Sequence, residues 1–300
     1  MLSALKTKID NSLYRILLIR HRNDSYPIAS RGIQRLITER FYNEHVGSQY
    51  NVNRKMKEEL IKQFYLTTAN VETATSPIYH IVMALEILSI PPEVEGDIIE
   101  CGCWKGGSTA NLSLVCKLVG RRLIVCDSFE GLPEEEERLM HHYPHLKVYG
   151  YYERGMYTAQ LDEVKENITR YGDISVCKFV PGFFSETLKI LNSQIVFAFI
   201  DVDLGSSMKD CIKYIWPLLG NGSKVYTDDS CDMEVVKVWF DDVWWNKEMN
   251  QVAPGYVGSG CGLPLSPKLT SLGYAVKVLD PAKDFNRVSW LSYPDEEKVK

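Results

Sequence analysis

The chain has 300 residues, a formal net charge of −5 at pH 7, and 45% hydrophobic against 24% charged residues. This length can bury one substantial core with an appendage, and the composition is that of an ordinary globular protein. The mild overall acidity gives no reason to expect nucleic acid as the main partner.

The N-terminal part of the chain is basic. Residues 1–62 hold 12 Lys and Arg against 6 Asp and Glu, so the remainder carries a net charge of −11. We interpret residues 1–75 as a helical extension or lid, interrupted at Pro27 and Gly32, with a helix over 54–65. Its charge suits a solvated helical face, an anionic lipid or a phosphorylated substrate. A homodimer contact through this segment is a further alternative.

Cysteine usage and hydropathy bear on the compartment. Eight cysteines occur without a CxxC pair, and several fall inside apolar runs. This pattern favours free thiols in a reducing compartment over disulfides, and it disfavours a metal pair at Cys101 and Cys103. No apolar stretch approaches the ~20 residues of a spanning helix, and the run 13–19 lacks a signal cleavage site. We therefore predict a cytoplasmic protein without a transmembrane segment.

From residue 76 onward, apolar strands alternate with helical segments. A helix opens at Ser76-Pro77, with proline in its first turn, and continues to about Ser89. The elements predicted after it are strand 97–103, helix 107–119, strand 122–128, helix 159–171, strand 175–180, strand 195–203, helix 206–219, strand 224–229, helix 233–245 and strands 274–279 and 287–292. The near-continuous apolar strands predict a Rossmann-like, doubly wound and mostly parallel α/β sheet, with an antiparallel pair at its edge.

Ligands of an open α/β sheet bind beyond the carboxyl ends of its strands, so the residues there are the candidate site. The first strand ends in a glycine-rich turn that enters a helix. Gly102, Gly106 and Gly107 let a ligand approach the backbone closely. Glu100 would repel a pyrophosphate but could hold an ammonium group. This favours an amino-acid-bearing cofactor over a dinucleotide, and a purely structural turn is the alternative.

The second and third strands also end in candidate ligand contacts. Asp127 is placed to accept hydrogen bonds from ribose hydroxyls. A turn or helix-cap role for this acid is the alternative. The run Gly182-Phe183-Phe184 could lay a ring against a purine, or it could simply join the core.

The sharpest signal follows the fourth and fifth strands. Asp201 and Asp203 flank Val202 and would point the same way along an ideal strand. Asp228-Asp229 ends the adjacent strand. Four acids in a small volume cannot all stay ionised without a countercharge, and oxygen ligands of this kind suit Mg²⁺ or Ca²⁺. The alternative is a pair of helix caps near the sheet edge.

Taken together, these motifs resemble the macrocin O-methyltransferase family, whose members methylate sugar hydroxyls of macrolide and aminocoumarin antibiotics. The resemblance covers roughly residues 75–245. The segments that carry it are Gly96–Ser108, Asp127–Pro133, Leu161–Asn167, Arg170–Gly172, Val180–Leu188, Ile200–Leu204 and Asp228-Asp229. The resemblance implies a class I methyltransferase domain over residues 76–300, with S-adenosylmethionine, Mg²⁺ and a small-molecule hydroxyl acceptor such as a sugar or glycoside.

The resemblance also implies roles for individual residues. Asp201, Asp228 and Asp229 would ligate the metal, and Asp203 would be the general base. The positions that would bind the cofactor are Glu100, Gly102, Trp104, Gly106, Gly107, Ser108, Asp127, Ser128, Gly182, Phe183 and Asp201.

The sequence departs from the family pattern after the paired acids. The family reads Asp-Gly-Asp-Leu-Tyr-Glu-Ser-Thr, whereas this chain has Gly205 in place of the bulky tyrosine. Acceptor identity therefore does not carry over. The glycine-rich stretch 255–262 is either an acceptor loop or a connector. The histidines after the second strand, His141, His142 and His145, are either an exposed loop, a rival base or a second metal site.

Three other functions stay open. A nicotinamide-dependent oxidoreductase can use the same fold, although the chain lacks GxGxxG and has an acid at the first strand end. A non-catalytic module could keep the fold without the chemistry. A methyltransferase could also act on nitrogen or another acceptor.

Overall fold

The computed structural model describes residues 28–134, 139–142, 146–149, 152–230, 232–258 and 272–278. The parts of the chain outside these ranges include residues 1–27 of the basic segment with Pro27, His145, Cys231, residues 259–262 with Cys261, and the predicted strand 287–292. The helices are α1 Ile28–Phe41, α2 Arg54–Asn70, α3 Pro77–Ser89, α4 Gly107–Val119, α5 Leu161–Tyr171, α6 Phe184–Thr187, α7 Gly205–Ile215, α8 Met233–Val236 and α9 Asp242–Trp244. The strands are β1 Asp97–Cys101, β2 Leu123–Asp127, β3 Leu139–His142, β4 Leu146–Tyr149, β5 Cys177–Pro181, β6 Ile195–Ile200, β7 Leu219–Thr227 and β8 Gly273–Val276.

Six strands form one sheet in the order β5-β2-β1-β6-β7-β8. All neighbours are parallel except β7 and β8, which pair antiparallel. This confirms the predicted doubly wound, mostly parallel sheet. The antiparallel neighbour of β8 is β7, and the predicted pairing of strands 274–279 and 287–292 stays a prediction because 287–292 lies outside the described residues. Chain order reverses between β1 and β6, the position where open α/β sheets bind ligands. β3 and β4 form a separate antiparallel hairpin.

Helices cover both faces of the sheet, which explains the continuous apolar strands. All six residues of β6 are buried. Leu60 and Phe64 of α2 share one core cluster with Ile98 and Phe197 of the sheet. The second extension helix therefore packs with the sheet domain, and the predicted boundary at residue 75 stays a prediction.

The opposite face of the sheet carries a tryptophan cluster. Trp239 and Trp245 are fully buried and pack against Trp216. The predicted continuous helix 233–245 is wrong here. Asp232 and Asp241 each accept a hydrogen bond from the first turn of a separate short segment, so side-chain capping breaks the helix.

Other predicted boundaries shift for identifiable reasons. Gly32 lies within α1 and does not interrupt it, since one helical glycine costs only about 1 kcal/mol. Ser76 precedes α3 and Pro77 is its first residue, as predicted.

The described cysteines are all free, and five of the six are buried. Among helices of the described residues, none combines the length and apolarity that crossing a bilayer requires.

Candidate functional site

A cavity of about 470 Å³ opens at the carboxyl edge of the sheet. Of the predicted site residues, those on its wall are Gly102, Trp104, Ser108, Asp127, Ser128, Phe183, Asp201, Asp203, Asp228 and Asp229. Glu100, Gly106, Gly107 and Gly182 lie outside the wall. Residues from five strand ends therefore meet at one cavity.

The glycine-rich turn is packed against the neighbouring strand end. Gly102 donates its backbone N–H to the Cys126 carbonyl at 2.9 Å and has a φ of +82°. A Cβ on this residue would collide with the Asp201 carbonyl oxygen. Gly106 and Gly107 lie against Val164 and Thr73, respectively. Packing thus accounts for these last two glycines without a ligand.

Asp127 fastens the end of β2 to the glycine-rich turn. Its Oδ2 accepts backbone N–H groups from Cys103 at 2.7 Å and Trp104 at 3.3 Å. Its Oδ1 accepts the Phe129 N–H at 2.8 Å. The turn role is therefore present. Asp127 also lines the cavity, and its predicted contact with ribose hydroxyls stays a prediction.

Glu100 lies behind the cavity wall and is fully buried. The Thr109 hydroxyl donates to its Oε2 at 2.5 Å. Burial raises the Glu100 pKa to about 8, against the opposing effect of the Thr109 hydrogen bond, and the negative charge of Asp127 raises it further. Its predicted contact with an ammonium group stays a prediction.

Four aspartates share one side of the cavity. Asp228 and Asp229 are buried, while Asp201 and Asp203 are half-buried. Desolvation and the charge of Asp228 raise the Asp201 pKa well above its ordinary value. Desolvation and the charge of Asp203 do the same to the pKa of Asp229. Mutual repulsion of this kind is expected when carboxylates converge without a countercharge.

Asp203 reaches this cluster through a turn. The predicted strand over 195–203 is wrong beyond Ile200, where β6 ends. Asp203 has a left-handed backbone with a φ of 59°, and its N–H donates to Asp229 Oδ2 at 3.2 Å. Desolvation and the Asp228 charge raise its pKa to about 7, although a hydrogen bond from Tyr152 lowers it. Asp201 and Asp203 therefore line the same cavity although both lie beyond the end of the strand.

The acid cluster contains the three predicted metal ligands, Asp201, Asp228 and Asp229. In the ranges that the structure describes, no group of three or more His, Cys, Asp or Glu side chains is arranged to hold a metal ion. The donor chemistry nevertheless fits a hard divalent cation, because the cluster supplies oxygen ligands whose repulsion a cation would relieve. The Thr75 hydroxyl also donates to Asp201 Oδ2 at 3.5 Å. The metal assignment stays a prediction.

Aromatic side chains form another part of the wall. Phe183 and Phe184 both line the cavity, and Phe184 also packs on a core cluster. Trp104 meets Tyr157 edge to face, with ring centroids 5.4 Å apart. Both of these residues have positive φ, a strained conformation that often accompanies a functional site. His141 and His142 belong to β3, but their side chains are outside the described set.

Sequence reasoning missed several residues of the wall. They are Glu72, Thr73, Ala74, Leu132, Pro133, Glu134, Tyr152, Tyr157, Ser206, Ser207 and Asp210. Ser206, Ser207 and Asp210 begin α7 directly after the paired acids, so a helix start there could have signalled them. Tyr152 and Tyr157 follow the hairpin, where no strand end marks them.

Known proteins match the central part of this chain. The sequence profile of the macrocin-O-methyltransferase (TylF) family matches residues 79–252. An 8-demethyl-8-(2,3-dimethoxy-alpha-L-rhamnosyl)-tetracenomycin-C 4'-O-methyltransferase from Streptomyces olivaceus is 33% identical over 150 residues, covering 45% of this chain and 53% of that protein. A mycinamicin III 3''-O-methyltransferase from Micromonospora griseorubida is 27% identical over 145 residues, covering 46% of this chain and 56% of that protein.

The solved structure of the O-methyltransferase NovP aligns with 83% of this chain and 99% of that chain, at 16% identity and a TM-score of 0.47. The two sequence relatives are each matched over about half their length. The family profile spans more than half of this chain and includes the glycine-rich turn, Asp127 and the four aspartates. The chain belongs to the macrocin-O-methyltransferase (TylF) family.

Proposed function

We propose that the protein transfers a methyl group from S-adenosylmethionine to a hydroxyl of a small molecule, with the help of Mg²⁺. The observation that carries the proposal is the acid cluster facing a cavity whose other wall is the glycine-rich turn. Family membership supports methyl transfer to oxygen. One relative described above is named for O-methylation of a rhamnosyl-tetracenomycin and the other for O-methylation of mycinamicin III, and the first name supports a sugar or glycoside acceptor.

The charge of the cavity supports the same choice of ligands. Its described wall contains eight carboxylates, from Glu72, Asp127, Glu134, Asp201, Asp203, Asp210, Asp228 and Asp229, and no Lys, Arg or His. Such a wall attracts a sulfonium, an ammonium group and a divalent cation. It repels phosphates, which disfavours a nucleotide-linked sugar and a nicotinamide dinucleotide. We therefore propose a neutral or cationic acceptor.

The residues divide the chemistry between them. Asp201, Asp228 and Asp229 would hold Mg²⁺, which when bound supplies a positive charge that lowers the pKa of the acceptor hydroxyl. Asp203 accepts the proton of that hydroxyl at its carboxylate. The turn around Gly102 and the loop after Asp127 hold the cofactor, so that the acceptor oxygen can align with the methyl group.

Methyl transfer is tested with isotopically labelled S-adenosylmethionine and a panel of neutral glycosides, amino sugars and sugar phosphates. We expect label on neutral or amino glycosides, none on phosphorylated ones, and loss of transfer in excess EDTA. Full activity in EDTA would defeat the metal part of the proposal. Label on nitrogen alone, or none at all, would point to the alternative acceptor or to a non-catalytic module.

Magnesium should stabilise the protein more at pH 8 than at pH 5.5, because the cation binds ionised carboxylates and the acids around the site are more fully ionised at the higher pH. The Asp203 pKa is raised from 3.8 to about 7, so its protonation stabilises the fold at low pH and that stabilisation is lost as pH rises through 7. Glu100, with its pKa raised to about 8, acts in the same direction. Metal at about 100 times its Kd would add about 2.7 kcal/mol.

Thermal melts with and without Mg²⁺ at both pH values measure this difference. The double variant Asp228→Asn, Asp229→Asn is the matched control, since it removes two of the three proposed ligands. It should melt at a temperature independent of Mg²⁺. Equal stabilisation of the native protein at the two pH values would contradict the prediction.

A further inference from the structure

Tyr152 connects the hairpin insertion to the acid cluster. It lies between the motifs Asp127–Pro133 and Leu161–Asn167, lines the cavity, and donates a hydrogen bond from its hydroxyl to Asp203. We propose that Tyr152 is a positioning residue that aims the Asp203 carboxylate at the acceptor hydroxyl. This inference rests on the proposed function, in which Asp203 takes the acceptor proton.

The segment that carries Tyr152 is clamped to the loop after β2. The Leu132 N–H donates to the Met156 carbonyl, and the Gly155 N–H donates to the Leu132 carbonyl, both at 2.9 Å. Gly131 has a φ of +81°, and a Cβ there would fall within 2.6 Å of the Gly155 and Met156 carbonyl oxygens. The backbone of residues 155–156 can approach this closely only because position 131 is glycine.

The loop that forms this clamp is itself held by its own side chains. The Ser128 hydroxyl donates to the Gly131 carbonyl at 2.9 Å and accepts the Glu130 N–H at 3.1 Å. Asp127 accepts the Phe129 N–H. The run Asp127–Pro133 therefore lines the cavity and also holds the backbone of the segment that carries Tyr152.

Tyr152 offers the Asp203 carboxylate a hydrogen-bond donor among neighbouring acids. The left-handed conformation of Asp203 and the hydrogen bond from its N–H to Asp229 fix the position of its backbone. The side chain then lies among other acids, and Asp228 repels it. A donor hydroxyl on one side holds the carboxylate in a single direction, and charge-assisted hydrogen bonds of this kind are strong.

The test compares Tyr152→Phe, which removes only the hydroxyl, with Tyr65→Phe, whose parent residue is 54% exposed on α2. Crystal structures of both variants and of the native enzyme, each with S-adenosylhomocysteine, would show the orientation of the Asp203 carboxylate. We expect the Asp203 side chain to rotate, or to occupy two conformations, in Tyr152→Phe and not in Tyr65→Phe. An unchanged Asp203 position there would overturn the proposal whether or not the enzyme turns over.

Kinetics give a second readout, with 4-nitrophenyl α-L-rhamnopyranoside as acceptor. We expect Tyr152→Phe to lower kcat by roughly 10- to 100-fold, the effect of losing one hydrogen bond to a charged group. The Kd for S-adenosylhomocysteine should stay unchanged by calorimetry. An unchanged kcat would refute the positioning role. A native enzyme that methylates neither this rhamnoside nor any acceptor of the panel would refute the proposed function, and the crystallographic comparison would still decide the role of Tyr152.

Discussion

Asp203→Asn should lower kcat by roughly 10²–10⁴-fold, the range for removing a general base. Asparagine keeps the size of the side chain and can suit the left-handed backbone at this position, where φ is 59°. It cannot accept the acceptor proton. The backbone N–H bond to Asp229 does not involve the side chain and should persist. The affinity for S-adenosylmethionine should therefore change little.

The control for this variant is Asp162→Asn, an acid in the first turn of α5 that does not line the cavity. Steady-state rates with the best acceptor of the panel, together with calorimetric Kd values for S-adenosylhomocysteine, separate turnover from binding. Turnover equal to that of the native enzyme would remove Asp203 from the role of base. A parallel loss of cofactor affinity would assign the effect to the cavity as a whole.

Gly102→Ala should weaken both the fold and cofactor binding. The φ of +82° disfavours any L side chain, and the new Cβ would collide with the backbone carbonyl of Asp201. The Asp201 N–H donates a hydrogen bond to the Cys101 carbonyl at 2.9 Å. The Asp201 backbone, and with it the Asp201 carbonyl, therefore cannot move without separating the ends of β1 and β6. Strain and overpacking together should cost roughly 2–5 kcal/mol of unfolding free energy.

Gly120→Ala is the matched control, because Gly120 also has a positive φ, of 66°, but a Cβ there would meet nothing within 4 Å. It should cost only the backbone term, about 1–2 kcal/mol. Urea unfolding gives both free energies, and calorimetry gives the Kd for S-adenosylhomocysteine. Equal costs for the two variants would show that the contact between the turn and Asp201 is unimportant.

Much of the fold could be predicted because its signals are local. The helix 107–119 was placed at its observed bounds, since a glycine-rich start and an apolar face mark it within a few residues. The parallel sheet followed from strands such as β6, whose complete burial appears in the sequence as an unbroken apolar run. Strand ends then pointed to Asp127 and the four aspartates, which share one cavity.

Elements outside this repeating pattern were harder to place. The segment 233–245 has an apolar stripe that fits one helix, yet Asp232 and Asp241 cap separate pieces so that the tryptophans can pack together. The wall residues Glu72 to Ala74 come from the connection between α2 and α3. The ion pair between Glu72 and Lys105, at 2.7 Å, ties that connection to the glycine-rich turn. Such contacts join residues far apart in sequence and leave no periodic signal.

The sequence by itself determined the sheet, its covering helices and the acids at its carboxyl edge, because burial, capping and turn chemistry are written in neighbouring residues. Only the tertiary structure decided how the site is completed. The left-handed turn at Asp203 and the contact of Tyr152 with Asp203 depend on hydrogen bonds between separate segments. Those bonds form only after the sheet has brought the segments together.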